Sequence, residues 1–200
     1  MSRIRAAAHR ASSLLLAVGV LFLVYAAYVV IDERLYQMRA LKHLAQERQS
    51  VDLQAAASIP AFGATTAPPS DGTPIGQIQI QRLGISVVVV QGESEDILRR
   101  AVGHLARTAL PGHEGNVVLA GHRDTFFRAL KGIVRGDRIT MSTRDHDFEY
   151  VVESTSIVEP NDVGMIAPSG GHTLTLITCF PFYFVGPAPN RFIVVAREAE

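Results

Sequence analysis

Thr173-Leu174-Thr175-Leu176-Ile177-Thr178-Cys179-Phe180-Pro181 reads as a β-strand cut off at a cysteine. Threonine and isoleucine favour the pleated, half-buried environment of a sheet. Pro181 stops the pattern because it has no N–H to give to a ladder. Working outward, Arg191–Arg197 reads as a strand, and so do Phe148–Val158, Arg138–Ser142, Asn116–Ala120 and the β-branched run Ser86–Val90. Ile78 and Ile80 alternate with Gln77, Gln79 and Gln81, the period of a strand with one buried face. Gly, Pro, Asn and Asp residues punctuate the gaps. Two short helices are expected, at Asp96–Val102 and Thr125–Lys131. Seven or so strands in about 125 residues fit a closed barrel or a sandwich. The barrel is favoured, because closure leaves no exposed edge. No internal repeat of solenoid length occurs.

The other end of the 200-residue chain is different in kind. Ala11–Ile31 contains no charged residue, and about twenty residues at 1.5 Å rise span ~30 Å, the hydrocarbon thickness of a bilayer. Arg3, Arg5 and Arg10 precede this run and Asp32, Glu33 and Arg34 close it. A cleaved signal peptide would have a shorter apolar region and an A-x-A site, and none follows directly. An uncleaved single-pass anchor is therefore expected. Basic residues flank it on both sides, so charge alone leaves orientation open. The short basic tail and the large following domain favour an amino terminus inside, since long domains translocate largely regardless of charge. The expected organisation is a cytoplasmic tail at 1–10, a transmembrane helix at 11–31, a stalk helix and flexible linker at 32–73, and an extracytoplasmic domain at 74–200. The stalk, Asp32 to about Ala57, carries Leu35, Met38, Leu41 and Leu44 on a narrow stripe and is expected to be solvated. The linker Pro60–Pro74 is rich in Ala, Thr, Pro, Gly and Ser.

Composition removes several function classes. Lys+Arg and Asp+Glu both number 19, so the formal net charge is zero. This argues against a basic surface for nucleic acid and against a polyanionic disordered chain. A single Cys excludes an intramolecular disulfide framework and a cysteine-cluster metal site.

That cysteine needs an explanation. A free Cys is often a small buried hydrophobe. Cys179, however, ends its strand where the chain opens into a loop, and such ends display functional groups. An unpaired thiol in oxidising surroundings is also a liability unless it is used or protected. As a nucleophile it would need a proton acceptor or an electropositive neighbour, because the thiolate does the attacking. Four of the seven histidines sit in Gly-His pairs, Gly103-His104, Gly112-His113, Gly121-His122 and Gly171-His172. Spacing does not choose among them. His122 has the best local context, after the strand Asn116–Ala120 and before Arg123-Asp124. His104, His113 and His122 have the wrong spacing to ligate a metal from one helix or strand face, and neither metal nor cofactor is expected. Arg191 opens the last strand. An antiparallel return would bring it beside Cys179 as a donor to a developing oxyanion.

Thr175-Leu176-Ile177-Thr178-Cys179 resembles the TLxTC signature of sortases, the membrane-anchored cysteine transpeptidases of bacterial surfaces. Leu119-Ala120-Gly121-His122-Arg123-Asp124 resembles the sortase histidine motif, and Asn190-Arg191-Phe192-Ile193-Val194-Val195 the arginine strand. Ile75-Gly76-x-Ile78-x-Ile80-x-x-Leu83-Gly84-Ile85 is similar to the family's first two strands. The motifs cover most of Pro74–Arg197 in the family's order. Gly103-His104, Thr108-Ala109-Leu110-Pro111-Gly112 and Cys-x-Pro-Phe look most like class D, with Phe180 where class D relatives more often carry Tyr. The resemblance implies an eight-stranded β-barrel with short helices. It also implies Cys179 as nucleophile, His122 as general acid/base and Arg191 as oxyanion or substrate donor. Thr178 would help to build the oxyanion hole through its backbone or its hydroxyl, and Arg123 and Asp124 would support the site from behind.

The implied partners are the membrane, secreted proteins carrying a carboxy-terminal LPxTG-like sorting signal, and an amine acceptor such as a cell-wall precursor or a pilin-type lysine. Specificity is expected in the loops Glu159–His172 and Phe180–Asn190. The alternative from another class is a non-catalytic, membrane-tethered barrel that binds peptides in the same groove. A redox-sensing thiol is disfavoured because no resolving cysteine exists.

Overall fold

A computed structural model describes residues 2–55, 69–162, 164 and 170–199. Eight strands form its carboxy-terminal part. They are β1 (Pro74–Ile80), β2 (Ile85–Gln91), β3 (Val102–His104), β4 (Gly115–Ala120), β5 (Arg138–Ser142), β6 (Asp147–Val158), β7 (His172–Phe180) and β8 (Asn190–Glu198). They close into a barrel in the order β1-β2-β3-β4-β7-β8-β6-β5. The seam is an antiparallel pairing of β1 with β5, Gln77 opposite Ser142 and Gln79 opposite Thr140. Two pairings are parallel, β2 with β3 and β4 with β7.

The core follows from the period-two pattern of the sequence. Seven strands each send an i, i+2 pair inward: Ile78 and Ile80, Val87 and Val89, Val117 and Leu119, Ile139 and Met141, Tyr150 and Val152, Leu174 and Leu176, Val194 and Ala196. Successive side chains of a strand point to opposite faces, so each pair commits its strand to one orientation. Each fully buried aliphatic or aromatic side chain contributes about 1.5–3 kcal/mol. Phe127 and Leu130, both fully buried, pack on this core from the segment that follows β4.

Two helix expectations are corrected. Residues Asp96–Val102 are not one helix: the helix α2 is a single turn, Glu95–Leu98, and Val102 opens β3. The chain must turn back to lay Val102 beside Val89 in parallel register, which leaves room for one turn only. β3 also runs hard against the preceding turn, since a Cβ on Gly103 would sit 2.3 Å from the Gly92 carbonyl oxygen. The helix expected at Thr125–Lys131 is a 3₁₀ turn at Arg128–Gly132.

The amino-terminal part is one α-helix, α1 (Ser2–Ala55). Its stretch from Ser13 is long and apolar enough to cross a membrane, and its large side chains, Leu14 to Ile31, are exposed. The chain divides into two units at Met38/Arg39. In the first, Leu35 and Met38 are exposed, but in the second Ala40 and Leu44 are buried. The apolar stripe is therefore not solvated along its whole length. Most of the expected linker Pro60–Pro74, and Ala56 and Ala57 of the expected stalk, lie outside the described residues. So do 163 and 165–169 of the expected specificity loop Glu159–His172.

Candidate active site

Two neighbouring strands, and the segment just past the end of a third, carry the residues singled out in the sequence. β7 lies between β4 on one side and β8 on the other. In the antiparallel β7–β8 ladder Cys179 is directly opposite Arg191, so the two share a face of the wall, about 4.5–5.5 Å apart at Cα. In the parallel β4–β7 ladder Leu119 is opposite Leu176 and Ala120 opposite Ile177. The ladder runs one step further, because the Gly121 N–H donates to the Ile177 carbonyl (3.1 Å). Continuing that register sets His122 level with Cys179, one strand spacing of about 4.8 Å away. Leu174 and Leu176 point into the core, and the alternation then turns Cys179 to the outer face of the barrel. The sequence separations are 57 from His122 to Cys179 and 12 from Cys179 to Arg191; topology removes both.

The end of β4 is fastened to β7 from two directions. Besides the backbone bond, the buried Thr178 hydroxyl donates to the Gly121 carbonyl (2.7 Å). That hydroxyl is thus spent on holding the two strand ends together, and of the two ways in which Thr178 was expected to serve an oxyanion, only its backbone stays open. Gly121 must be glycine for a packing reason. A Cβ there would meet Phe127 Cδ2 at 2.7 Å, and Phe127 has no room to retreat, being fully buried. The Phe127 N–H in turn donates to the His122 carbonyl (3.0 Å).

The other Gly-His pairs are sorted by their surroundings. His104 is buried, with Nδ1 against Gln91 Oε1 (2.9 Å) and Nε2 against the Ala109 carbonyl (2.9 Å) and the Thr108 hydroxyl (3.1 Å). Burial pushes its imidazole below the ordinary histidine range, against a smaller opposing effect of the Ala109 bond. It is a structural histidine. His113 is an exposed turn residue. His172 opens β7 at the far end from Cys179 and pairs with Glu198 (3.4 Å). Only His122 stands at the cysteine's end of the sheet. Cys179 and His122 are both half-buried, so solvent reaches the pair.

Arg191 donates from Nη1 to the carbonyls of Asn190 (3.1 Å) and Ala188 (3.4 Å), at the foot of the loop that joins β7 to β8. Arg123 was expected only to support the site. Its Nη1 donates to the Pro181 carbonyl (2.9 Å), and its Nη2 to those of Phe184 (2.9 Å) and Gly186 (3.0 Å). Its place beside His122 was the only sequence signal, because its partners are 58 to 63 residues away. Phe180 joins Phe182 and Phe192 in a three-ring cluster with centroids 5.3–6.4 Å apart, which gives the residue after the cysteine a packing role that needs no hydroxyl. Among the described residues no group of three or more His, Cys, Asp or Glu could hold a metal ion. The backbone ladders thus bring residues bearing a thiol, an imidazole and a guanidinium to one end of the sheet, while the Arg191 guanidinium itself rests on the loop carbonyls.

Comparison with known proteins agrees. The sortase domain model matches residues 78–199. Sortase D of Bacillus subtilis is 28% identical over 188 residues, 92% of this chain and 95% of the relative. A sortase D5 transpeptidase from Clostridium perfringens superimposes with a TM-score of 0.67 over 82% of this chain and 99% of its own, at 24% identity. Sortase E from Streptomyces avermitilis gives 0.58 at 30% identity over 66% of this chain and 91% of its own. The barrel, its strand order and its motifs thus lead to one assignment: this chain belongs to the sortase family.

Proposed function

We propose that this chain is a membrane-anchored cysteine transpeptidase acting on secreted proteins that end in an LPxTG-like sorting signal. The Cys179 thiolate attacks the carbonyl carbon of the signal's threonine. Arg191 donates to the oxygen that gathers charge in the tetrahedral intermediate, a contribution worth on the order of 10²–10³-fold in acyl transfer. The C–N bond then breaks, and protonated His122 gives its proton to the departing amine. A thioester to Cys179 remains. An incoming amine attacks it and His122 takes the amine's proton. The C–S bond breaks, Cys179 leaves as thiolate, and the substrate is joined by a new amide to a cell-wall precursor or pilin-type lysine. Water in place of the amine gives hydrolysis.

What supports this reading is the pairing of Cys179 with Arg191 across β7 and β8, together with the β4–β7 register, which, continued two residues past the end of β4, brings His122 level with Cys179. Peptide binding alone gives no reason for an imidazole, a thiol and a guanidinium to converge on one face. The apolar stretch of α1 fits a single-pass anchor with the amino terminus inside and the barrel outside. Holding enzyme and secreted substrate at one surface raises their effective concentration.

The test is to incubate the full chain in detergent with an LPxTG-type peptide and hydroxylamine. A hydroxamate of the peptide cut after threonine is expected by mass spectrometry. Binding without cleavage at any nucleophile concentration would replace the enzyme by a peptide-binding barrel.

A further inference from the structure

We propose that Arg123 is a positioning residue that clamps the loop between Cys179 and Arg191 and so fixes where the Arg191 guanidinium lies relative to the thiol, an inference that rests on the catalytic reading above. The loop, Pro181–Pro189, is held by side chains alone. Among the described residues no backbone–backbone hydrogen bond ties it to another element. Its tip is in water: Tyr183 is 69% and Val185 100% exposed. The ring of Phe182 anchors its base against Phe180 and Phe192. Beyond that, polar side chains hold it. Lys131 meets the Tyr183 hydroxyl. Arg123 spreads over three carbonyls, those of Pro181, Phe184 and Gly186, at 2.9–3.0 Å, with its guanidinium 5.8 Å from the Phe184 ring centroid.

This geometry calls for arginine. The three acceptors are served by two nitrogens of a rigid planar fork, and they bracket six consecutive residues, so the bonds define the curvature of the segment. The bonds are also charge-assisted, which makes them stronger than neutral ones. Arg123 follows His122 directly, and the His122–Gly121 segment is itself fastened to β7. One short stretch therefore carries the imidazole and also holds the loop whose two ends are the cysteine and Arg191. The β7–β8 ladder holds the two backbones opposite each other, but the Arg191 guanidinium leans on the Ala188 carbonyl of this loop, so loosening the loop shifts that guanidinium relative to the thiol without touching either residue. Misplacement by about 1 Å far from the bond being made costs as much as 10²-fold in rate.

The test uses the full chain in detergent with Arg123→Ala and Arg123→Lys. Three quantities are measured on each: kcat and KM for peptide transfer, the chymotrypsin cleavage rate after Tyr183 and Phe184 with sites assigned by mass spectrometry, and the Cys179 alkylation rate by iodoacetamide against pH. For Arg123→Ala we expect kcat to fall about 10–100-fold with KM changed less than threefold. Loop cleavage should accelerate at least tenfold, and the alkylation profile should stay unchanged. Arg123→Lys should recover part of both kcat and protease resistance, since one nitrogen reaches fewer of the three carbonyls. Faster loop cleavage at wild-type kcat would overturn the proposal, because the loop's position would then not matter to the reaction. Unchanged cleavage would overturn it too, because Arg123 would then not be a clamp. A wild-type chain that transfers nothing counts against the catalytic reading instead, while cleavage of the loop still judges the clamp.

Discussion

Replacing Gly121 by alanine tests whether the end of β4 is as tightly built as the packing implies. The new Cβ would lie 2.7 Å from Phe127 Cδ2 and 3.0 Å from its Cγ and Cε2, inside any normal carbon–carbon contact. Phe127 is fully buried, and Gly121 is held by Ile177 through its N–H and by Thr178 through its carbonyl. Neither side yields freely. Overpacking of this kind costs about 1–3 kcal/mol, which for a domain of this size is a fall in Tm of roughly 4–12 °C. Turnover should fall further than stability, by on the order of 10²-fold, because the next residue is His122 and the displaced strand end carries it away from Cys179. Thermal unfolding and peptide transfer on the full chain measure the two effects. Phe127→Leu supplies the control. Added to Gly121→Ala it makes room, so the double variant should be less destabilised than the sum of the singles by about 1 kcal/mol, within the range of coupling seen between touching residues. Full activity and unchanged Tm in Gly121→Ala, or strict additivity in the double variant, would refute the packing argument.

The division of labour among the three site residues should appear in variants: Cys179→Ala should fall to background, and His122→Ala should lose about 10²–10⁴-fold yet keep a thiol that can be alkylated. Arg191→Lys keeps the charge but loses the planar fork, and turnover should drop on the order of 10²–10³-fold; near-normal turnover would return Arg191 to an ordinary strand end. Acid should erode stability in two stages. His104 titrates below the ordinary histidine range when folded, so its contribution is complete above about pH 6.5 and declines as pH falls below that, where the unfolded chain alone takes up the proton. Asp137 is held below the usual carboxylate range by its bonds from Arg82 and from the Val134 N–H, so its contribution persists above about pH 3.9 and is lost as pH falls through the lower folded value; Tm against pH for His104→Gln and Asp137→Asn should lack the upper and the lower stage respectively. Protease added outside intact cells should release the barrel, and its protection would reverse the proposed orientation.

How much of this was legible in the sequence depended on whether the signal was local. The seven strands that send an i, i+2 apolar pair inward were readable locally, Ile78 and Ile80 from their alternation and the others from short β-branched and apolar runs bounded by turn residues. β3 was not. It offers only Val102 to the core cluster, and it exists because β2 and β4 flank it, a fact of topology. The one-turn α2 followed from the same crossing, so its expected length was wrong at the carboxy-terminal end. Closure was expected from the cost of open edges and from the family resemblance, while its seam, with Gln77 opposite Ser142, came from the structure. At the site, Cys179 was marked by its position before Phe180-Pro181. Among four Gly-His pairs that spacing does not separate, His122 was marked by its place before Arg123-Asp124 and by the resemblance of its motif, and the surroundings of His104, His113 and His172 give each of those a different place. Arg123 was the least legible, because its function lies in three carbonyls on a distant loop and nothing in its own neighbourhood encodes them.

The most direct test of the central claim is to catch the acyl group on the enzyme. The full chain in detergent is mixed with an LPxTG-type peptide without added amine, quenched in acid within the first turnover, digested, and analysed by mass spectrometry. The account predicts a thioester that carries the peptide up to its threonine, located on the fragment containing Cys179, discharged by hydroxylamine and absent in Cys179→Ala. Peptide cleavage without any adduct on Cys179, or an adduct on another residue that survives Cys179→Ala, would contradict it.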